Sequence, residues 1–127
     1  MKSKYQYFSD NELKCKGEKC CGGTQVMNNE FMVKLVSMRK EIGFPLVLTS
    51  AYRCKIHNES VSSTGNSGPH TTGRAVDILV RGNRAHKLIE CALRHGMTGI
   101  GVSQKGPLRF IHIDDLGGPL RPWVWSY

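Results

Sequence analysis

No apolar run in this 127-residue chain approaches the roughly 20 residues that a membrane-spanning helix requires, so membrane insertion is not expected. The opening MKSKYQYFSDNELK is basic but has no apolar core, and does not read as a secretory signal. Synthesis and folding in a cytoplasm are therefore expected. The five cysteines, at 15, 20, 21, 54 and 91, are an odd number, which argues against a framework built wholly of disulfides. Internal repeats and low-complexity segments are lacking. Acidic side chains are scarce, 10 against 18 Lys and Arg, giving a net charge of +8. That balance suits an anionic partner, either nucleic acid or an acidic envelope polymer, or else a solvated basic surface. No Lys/Arg block is long enough for a nucleic-acid arm, and no aromatic-basic interleaving accompanies the charge.

What is present fits one domain, residues 1–127, with 39% hydrophobic residues to fill one core. Ser9 followed by Glu12 has the spacing of a capping box at the start of a short helix. Residues 15–23, CKGEKCCGG, read as a loop. Phe31, Leu35, Met38 and Ile42 recur on one helical face, with Asn28 or Asn29 to cap the start and Gly43 to end it. A strand is expected over 46–53, LVLTSAYR, followed by a polar loop over 57–69. RAVDILV, 74–80, alternates as a strand. RAHKLIECALRHG gives a further helix, with Ala85, Leu88, Ile89 and Ala92 as its buried stripe and Gly96 at its end. Residues 99–104 and 108–116 read as two strands joined at Lys105–Gly106–Pro107. The expected class is α+β, a small antiparallel sheet with flanking helices.

HTTGRAVDI, residues 70–78, sets His70 seven positions before Asp77. Val76, Ile78 and Val80 supply the apolar face of that strand, so Asp77 projects from the other. A buried carboxylate without a partner is costly. In LRFIHIDDL, Phe110, His112 and Asp114 share one face, which allows His112 to meet Asp77 across neighbouring strands. His70 can reach the same place from the loop end. Two imidazoles and a carboxylate, with a fourth position for water, are a catalytic zinc donor set. The bland alternative is a buried histidine hydrogen-bonded to a carboxylate.

Together, SAYR (50–53), HN (57–58), SGPHTTGRAVD (67–77), FIHID (110–114) and RPWVWSY (121–127) resemble, in order, the D-alanyl-D-alanine carboxypeptidase family of zinc peptidases, in its small phage and prophage members. The resemblance implies a hedgehog/D-Ala-D-Ala peptidase-like fold. It implies one zinc ion held by His70, Asp77 and His112. It also implies a metallopeptidase, D,D- or L,D-specific, of the phage lysis (endolysin) type, whose partner is the peptidoglycan stem peptide. Such a chain would act as a monomer on the cell wall or in the periplasm after release. Arg53 matches the position that engages a substrate carboxylate, which suits a guanidinium fork. Several branches of the family carry an acid three residues before the second histidine; here Arg109 stands there and cannot be a base. Asp114 is the remaining candidate, either as base or as a partner that orients a ligating histidine. Asp115 is expected to face away.

Ser67 and His57 are candidate substrate contacts, or else a loop-shaping residue and an exposed loop histidine. His86 and His95 read as structural, His95 in a last helical turn where its charge suits the dipole. Trp123, Trp125 and Tyr127 alternate in the tail, either packing the chain end or walling a cleft. C-x4-C-C lacks paired C-x2-C spacing, leaving free thiols, a Cys15–Cys20 disulfide after release, or a structural metal; Cys54 has no assignment. A catalytically silent wall-binding or virion module stands beside the peptidase, and nucleic-acid binding rests on charge alone.

Overall fold

The computed structural model describes residues 4–17, 20–65 and 68–127. Ser9 caps α1 (Asp10–Leu13) through a complete capping box with Glu12. Helix α2 (Asn29–Ile42) starts at Asn28, whose side chain accepts from Phe31 N, and ends at Gly43 in the left-handed region with φ 84°. Helix α4 (Gly82–Arg94) buries Ala85, Leu88, Cys91 and Ala92. Between them come the strands β1 (Val47–Ser50) and β2 (Ala75–Leu79), and after α4 the strands β3 (Gly99–Ser103) and β4 (Phe110–Asp114). The sheet order is β1-β2-β4-β3-β5, where β5 is Trp123–Ser126.

Strand alternation divides the sheet. Val76, Ile78, Ile111 and Ile113 are fully buried in a core shared with Phe31, Leu35, Met38 and Leu88. Burying each such side chain contributes on the order of 1.5–3 kcal/mol. Asp77, His112 and Asp114 occupy alternate positions in the same strands. At the outer ends of α2 and α4, Glu41 pairs with Arg94 at 2.7 Å and with His95 at 2.7 Å, so His95 has a structural role.

Three features depart from the expectations. The sheet is mixed, because β5 runs parallel to β3 while the other pairs are antiparallel. With Trp123 and Val124 exposed, β5 carries no buried–exposed alternation by which to recognise it. Second, β1 stops at Ser50, where its register with β2 slips, and the chain leaves the sheet before Arg53. Third, helix α3 (Lys55–Val61) runs into the stretch 57–69 expected to be loop, and a 3-10 turn over Pro69–Thr72 begins at its end. The one buried residue of α3 is polar Asn58, and its N-cap is Cys54, so neither an apolar stripe nor an ordinary cap announces it.

One row of residues crosses the whole sheet: Ser50, Asp77, His112, Gly101 and Trp125 lie side by side in register. Next to it, Ala75, Asp114, Gly99 and Trp123 form a second row. Both glycines make room for neighbours. A Cβ on Gly101 would come 2.6 Å from Trp125 Nε1, and one on Gly99 would come 2.5 Å from Asp114 Cγ.

Gly99→Ala is therefore expected to displace the Asp114 carboxylate and to cost about 1–3 kcal/mol, the usual range for overpacking. Urea unfolding reads this. A loss below about 0.5 kcal/mol, the range of an ordinary surface substitution, would show that the carboxylate shifts freely.

Candidate metal centre

His70, Asp77 and His112 reach one point from three elements. The 3-10 turn carries His70 inward, and Gly73 ends that turn with φ 75° so that the chain can enter β2. A Cβ on Gly73 would also press on the Met27 and Asn28 backbone, at 3.2 and 3.1 Å. Strand register then sets Asp77 directly opposite His112. All three residues are buried, at 5%, 7% and 2% exposure. Asp77 Oδ1 lies 3.3 Å from His70 Nε2 and 3.0 Å from His112 Nδ1.

Those separations suit a shared tetrahedral ion, since metal–donor bonds of about 2.0–2.1 Å place donors about 3.3 Å apart. The far side of each imidazole is also engaged. His70 Nδ1 lies 2.7 Å from the Ala51 carbonyl, so it donates there and leaves Nε2 with a lone pair. His112 Nε2 lies 2.7 Å from Asp114 Oδ2, which leaves Nδ1 as the free donor atom. Outer partners of this kind fix tautomer and ring orientation at metal-ligating histidines. The chemistry and spacing of the donor set therefore fit zinc.

Asp114 is wholly buried, and Arg121 grips both of its oxygens, Nε to Oδ1 and Nη2 to Oδ2, each at 2.9 Å. Leu116 N adds a long bond to Oδ1 at 3.4 Å. Burial pushes the Asp114 carboxyl up, but His112 and Arg121 outweigh it and hold the group down at about 2. Burial likewise pushes Asp77 up, and the imidazoles of His112 and His70 leave it below the ordinary carboxylate value. Burial lowers His112, but Asp114 and Asp77 outweigh this and raise it. Asp115 turns away, as expected, into a clasp with Arg74 and Lys34.

Arg53 lies beside the triad. Its Nη2 is 3.7 Å from Asp77 Oδ2, while Nε donates to Ser50 Oγ and Nη1 to Asn58 Oδ1, both at 3.2 Å. His57 goes elsewhere: α3 turns Asn58 inward and sets His57 against Gly17, where a Cβ would meet its Nδ1 and Cys20 Sγ at 2.7 Å each. Ser67 lies outside the described residues. Arg109 donates from Nε to Gly106 O at 3.1 Å.

Arg121 and Asn58 are site residues to which the sequence assigned no such place, and of the tail aromatics that could pack the chain end or wall a cleft, Trp125 is the one set against His112. Trp125 lies 5.0 Å from the His112 ring, and the Arg121 guanidinium lies 5.1 Å over the indole. The pieces HN and RPWVWSY contained all three, but no local pattern tells which member faces inward.

A family model described as Peptidase M15 matches residues 6–114. No curated protein and no solved structure gives a significant match.

His112→Ala removes one donor and is expected to abolish tight zinc binding at this triad, read by metal analysis after dialysis. In the unsubstituted chain zinc must displace the proton that Asp114 and Asp77 hold on His112. Zinc affinity at the triad, taken as the difference from His112→Ala, should therefore fall with acidification starting above the ordinary imidazole value of about 6.5. Affinity that stays flat to well below that value would refute the competition.

Proposed function

The chain belongs to the peptidase M15 family, and from that footing we propose that it is a zinc-dependent hydrolase of peptidoglycan stem peptides. Metallopeptidase is the class the family itself indicates. The finer reading is a D-Ala-D-Ala carboxypeptidase or a neighbouring endopeptidase, of the phage lysis type. The observation that carries it is the convergence of His70 Nε2, Asp77 Oδ1 and His112 Nδ1, with the Arg53 guanidinium 3.7 Å from the other Asp77 oxygen.

Zinc held by His70, Asp77 and His112 would supply a Lewis acid that polarises a carbonyl and brings the pKa of a coordinated water towards about 7. The chain's own residues do the rest. Ala51 O and Asp114 hold the two imidazoles in the donating tautomer. Ser50 and Asn58 hold Arg53 by two of its N–H groups, and the others remain for a substrate's terminal carboxylate. Trp125 walls one side of His112 from water. The net charge of +8 favours approach to an anionic wall.

Asp114 suits the role of positioning residue better than that of base. Both of its oxygens are committed, to His112 and to Arg121, and the group is wholly buried. Arg109 replaces the acid that several relatives carry, and among the described residues the carboxylates bonded to the site histidines are Asp77 and Asp114. That same observation favours a second reading, a zinc-containing wall-binding module without turnover.

Digestion of purified muropeptides by zinc-loaded and chelator-stripped protein, read by mass spectrometry, separates these. Loss of one alanine only with metal means carboxypeptidase, and two stem fragments mean endopeptidase. No product across several peptidoglycan chemotypes, with zinc bound, leaves the binding module. Arg53→Ala should lower kcat/KM on carboxylate-ended substrates about 10- to 100-fold, mainly through KM, as expected for a charge-assisted hydrogen bond of roughly 1.5–3 kcal/mol. Asp114→Asn should loosen zinc about 10- to 100-fold, with turnover recovering at saturating zinc. A loss of about 10²–10⁴ that zinc does not restore would make Asp114 the base.

A further inference from the structure

Four of the five cysteines meet at a second place. Cys15 and Cys20–Cys21 stand on the loop after α1, and Cys54 caps α3 more than thirty residues later. The four Sγ atoms all lie within 4.8 Å of one another. Cys15 and Cys20 are 3.8 Å apart, and Cys20 and Cys21 are 3.9 Å apart. Disulfide sulfurs sit about 2.05 Å apart. Four thiolates on a tetrahedral zinc, with Zn–S bonds of about 2.3 Å, have edges of about 3.8 Å. We propose that Cys15, Cys20, Cys21 and Cys54 form a closed, structural zinc site, separate from the His70–Asp77–His112 triad.

The surroundings are those of a thiolate site rather than of a greasy pocket. Cys15 and Cys54 are buried at 1% and 8% exposure, yet they stand outside the apolar core cluster, which takes in Cys91. Backbone donors point at the sulfurs: Cys54 N to Cys15 Sγ at 3.5 Å, and His57 N to Cys54 Sγ at 3.4 Å. Such bonds stabilise negative sulfur and are the outer partners a metal–thiolate site needs. The loop is shaped to close. Gly17 leaves space that a Cβ would fill 2.7 Å from Cys20 Sγ, Gly22 and Gly23 take φ 73° and 77°, and the returning Thr24 carbonyl accepts from Cys15 N at 2.9 Å. Lys14, Lys16 and Lys55 flank the ligands in sequence, so the net negative charge of four thiolates around one dication would stand in a basic stretch of chain.

All four positions are protein sulfur, with no vacancy for water, so the site is structural rather than catalytic. A soft, all-thiolate set selects zinc or iron over hard dications. Its consequence for the triad is positional. Cys54 follows Arg53 directly, Arg53 N donates to His70 O at 3.1 Å, and Tyr52 N donates to Leu13 O at 3.2 Å. An ion binding Cys15 to Cys54 fastens both sides of the segment that presents Arg53. Spacing alone conceals the site, since C-x4-C-C has no paired partner and its fourth ligand becomes a neighbour only when β1 and α3 fold against α1.

Metal analysis of the full chain purified under reductant tests this without any peptidase assay. Two zinc ions per chain are expected, with one remaining in His112→Ala. Cobalt loaded into His112→Ala should give the intense near-ultraviolet bands of sulfur-to-metal charge transfer, together with the visible bands of a tetrahedral ion. Zinc should bleach both. Cys54→Ser should lose those bands, whereas Cys91→Ser, a buried thiol outside the cluster, should keep them. If Cys54→Ser fails to fold, the His112→Ala spectrum and the Cys91→Ser control still decide. A single zinc that vanishes in His112→Ala, or a cobalt spectrum without thiolate bands, would each overturn the proposal. Failure of the triad as an active site would leave it untouched.

Discussion

A buried carboxylate facing two imidazoles is the constraint around which the rest of the molecule is arranged. Asp77 Oδ1 lies 3.0 Å from His112 Nδ1 and 3.3 Å from His70 Nε2, with all three residues nearly sealed from solvent. In a low-dielectric setting such a cluster demands compensation, either a proton shared with the carboxylate or a cation between the donors. The raised His112 value is the metal-free answer to that demand, and the two states compete for the same lone pair.

Support for that cluster spreads outward in both directions along the sheet. On one side Asp77 meets Arg53, which Ser50 and Asn58 hold in turn. On the other, His112 leans on Asp114, Asp114 on Arg121, and Arg121 lies over Trp125, which returns to His112. The tail is thus packed against the surroundings of the triad. Gly99 and Gly101 permit this, because a side chain at either position would occupy the space of Asp114 or Trp125. The thiol cluster lies beyond Arg53 and steadies the same segment from outside the sheet.

Much of this was legible beforehand because it is local. The Ser9–Glu12 capping box, the Phe31–Met38 stripe of α2 and the alternation in β2 and β4 need only neighbours in sequence to take shape. Period-two alternation alone puts Asp77 on the face away from Val76 and Ile78, and His112 away from Ile111 and Ile113. Helix α3 was illegible because its inward residue is an asparagine and its cap a cysteine. Strand β5 was illegible because its exposed Trp123 and Val124 mimic a tail, and its parallel pairing with β3 comes from no hairpin.

The sequence by itself determined the α+β class, the strands that carry Asp77 and His112, and the donor types, because propensity, periodicity and side-chain chemistry act over a few residues. Tertiary structure alone decided which nitrogen of each histidine faces Asp77, that Asp114 is gripped by Arg121, that Asn58 rather than His57 turns towards Arg53, and that Cys54 joins Cys15, Cys20 and Cys21. Each of these is a contact between segments far apart along the chain. Strand register and loop closure set such distances, and both are properties of the packed whole rather than of any window of residues.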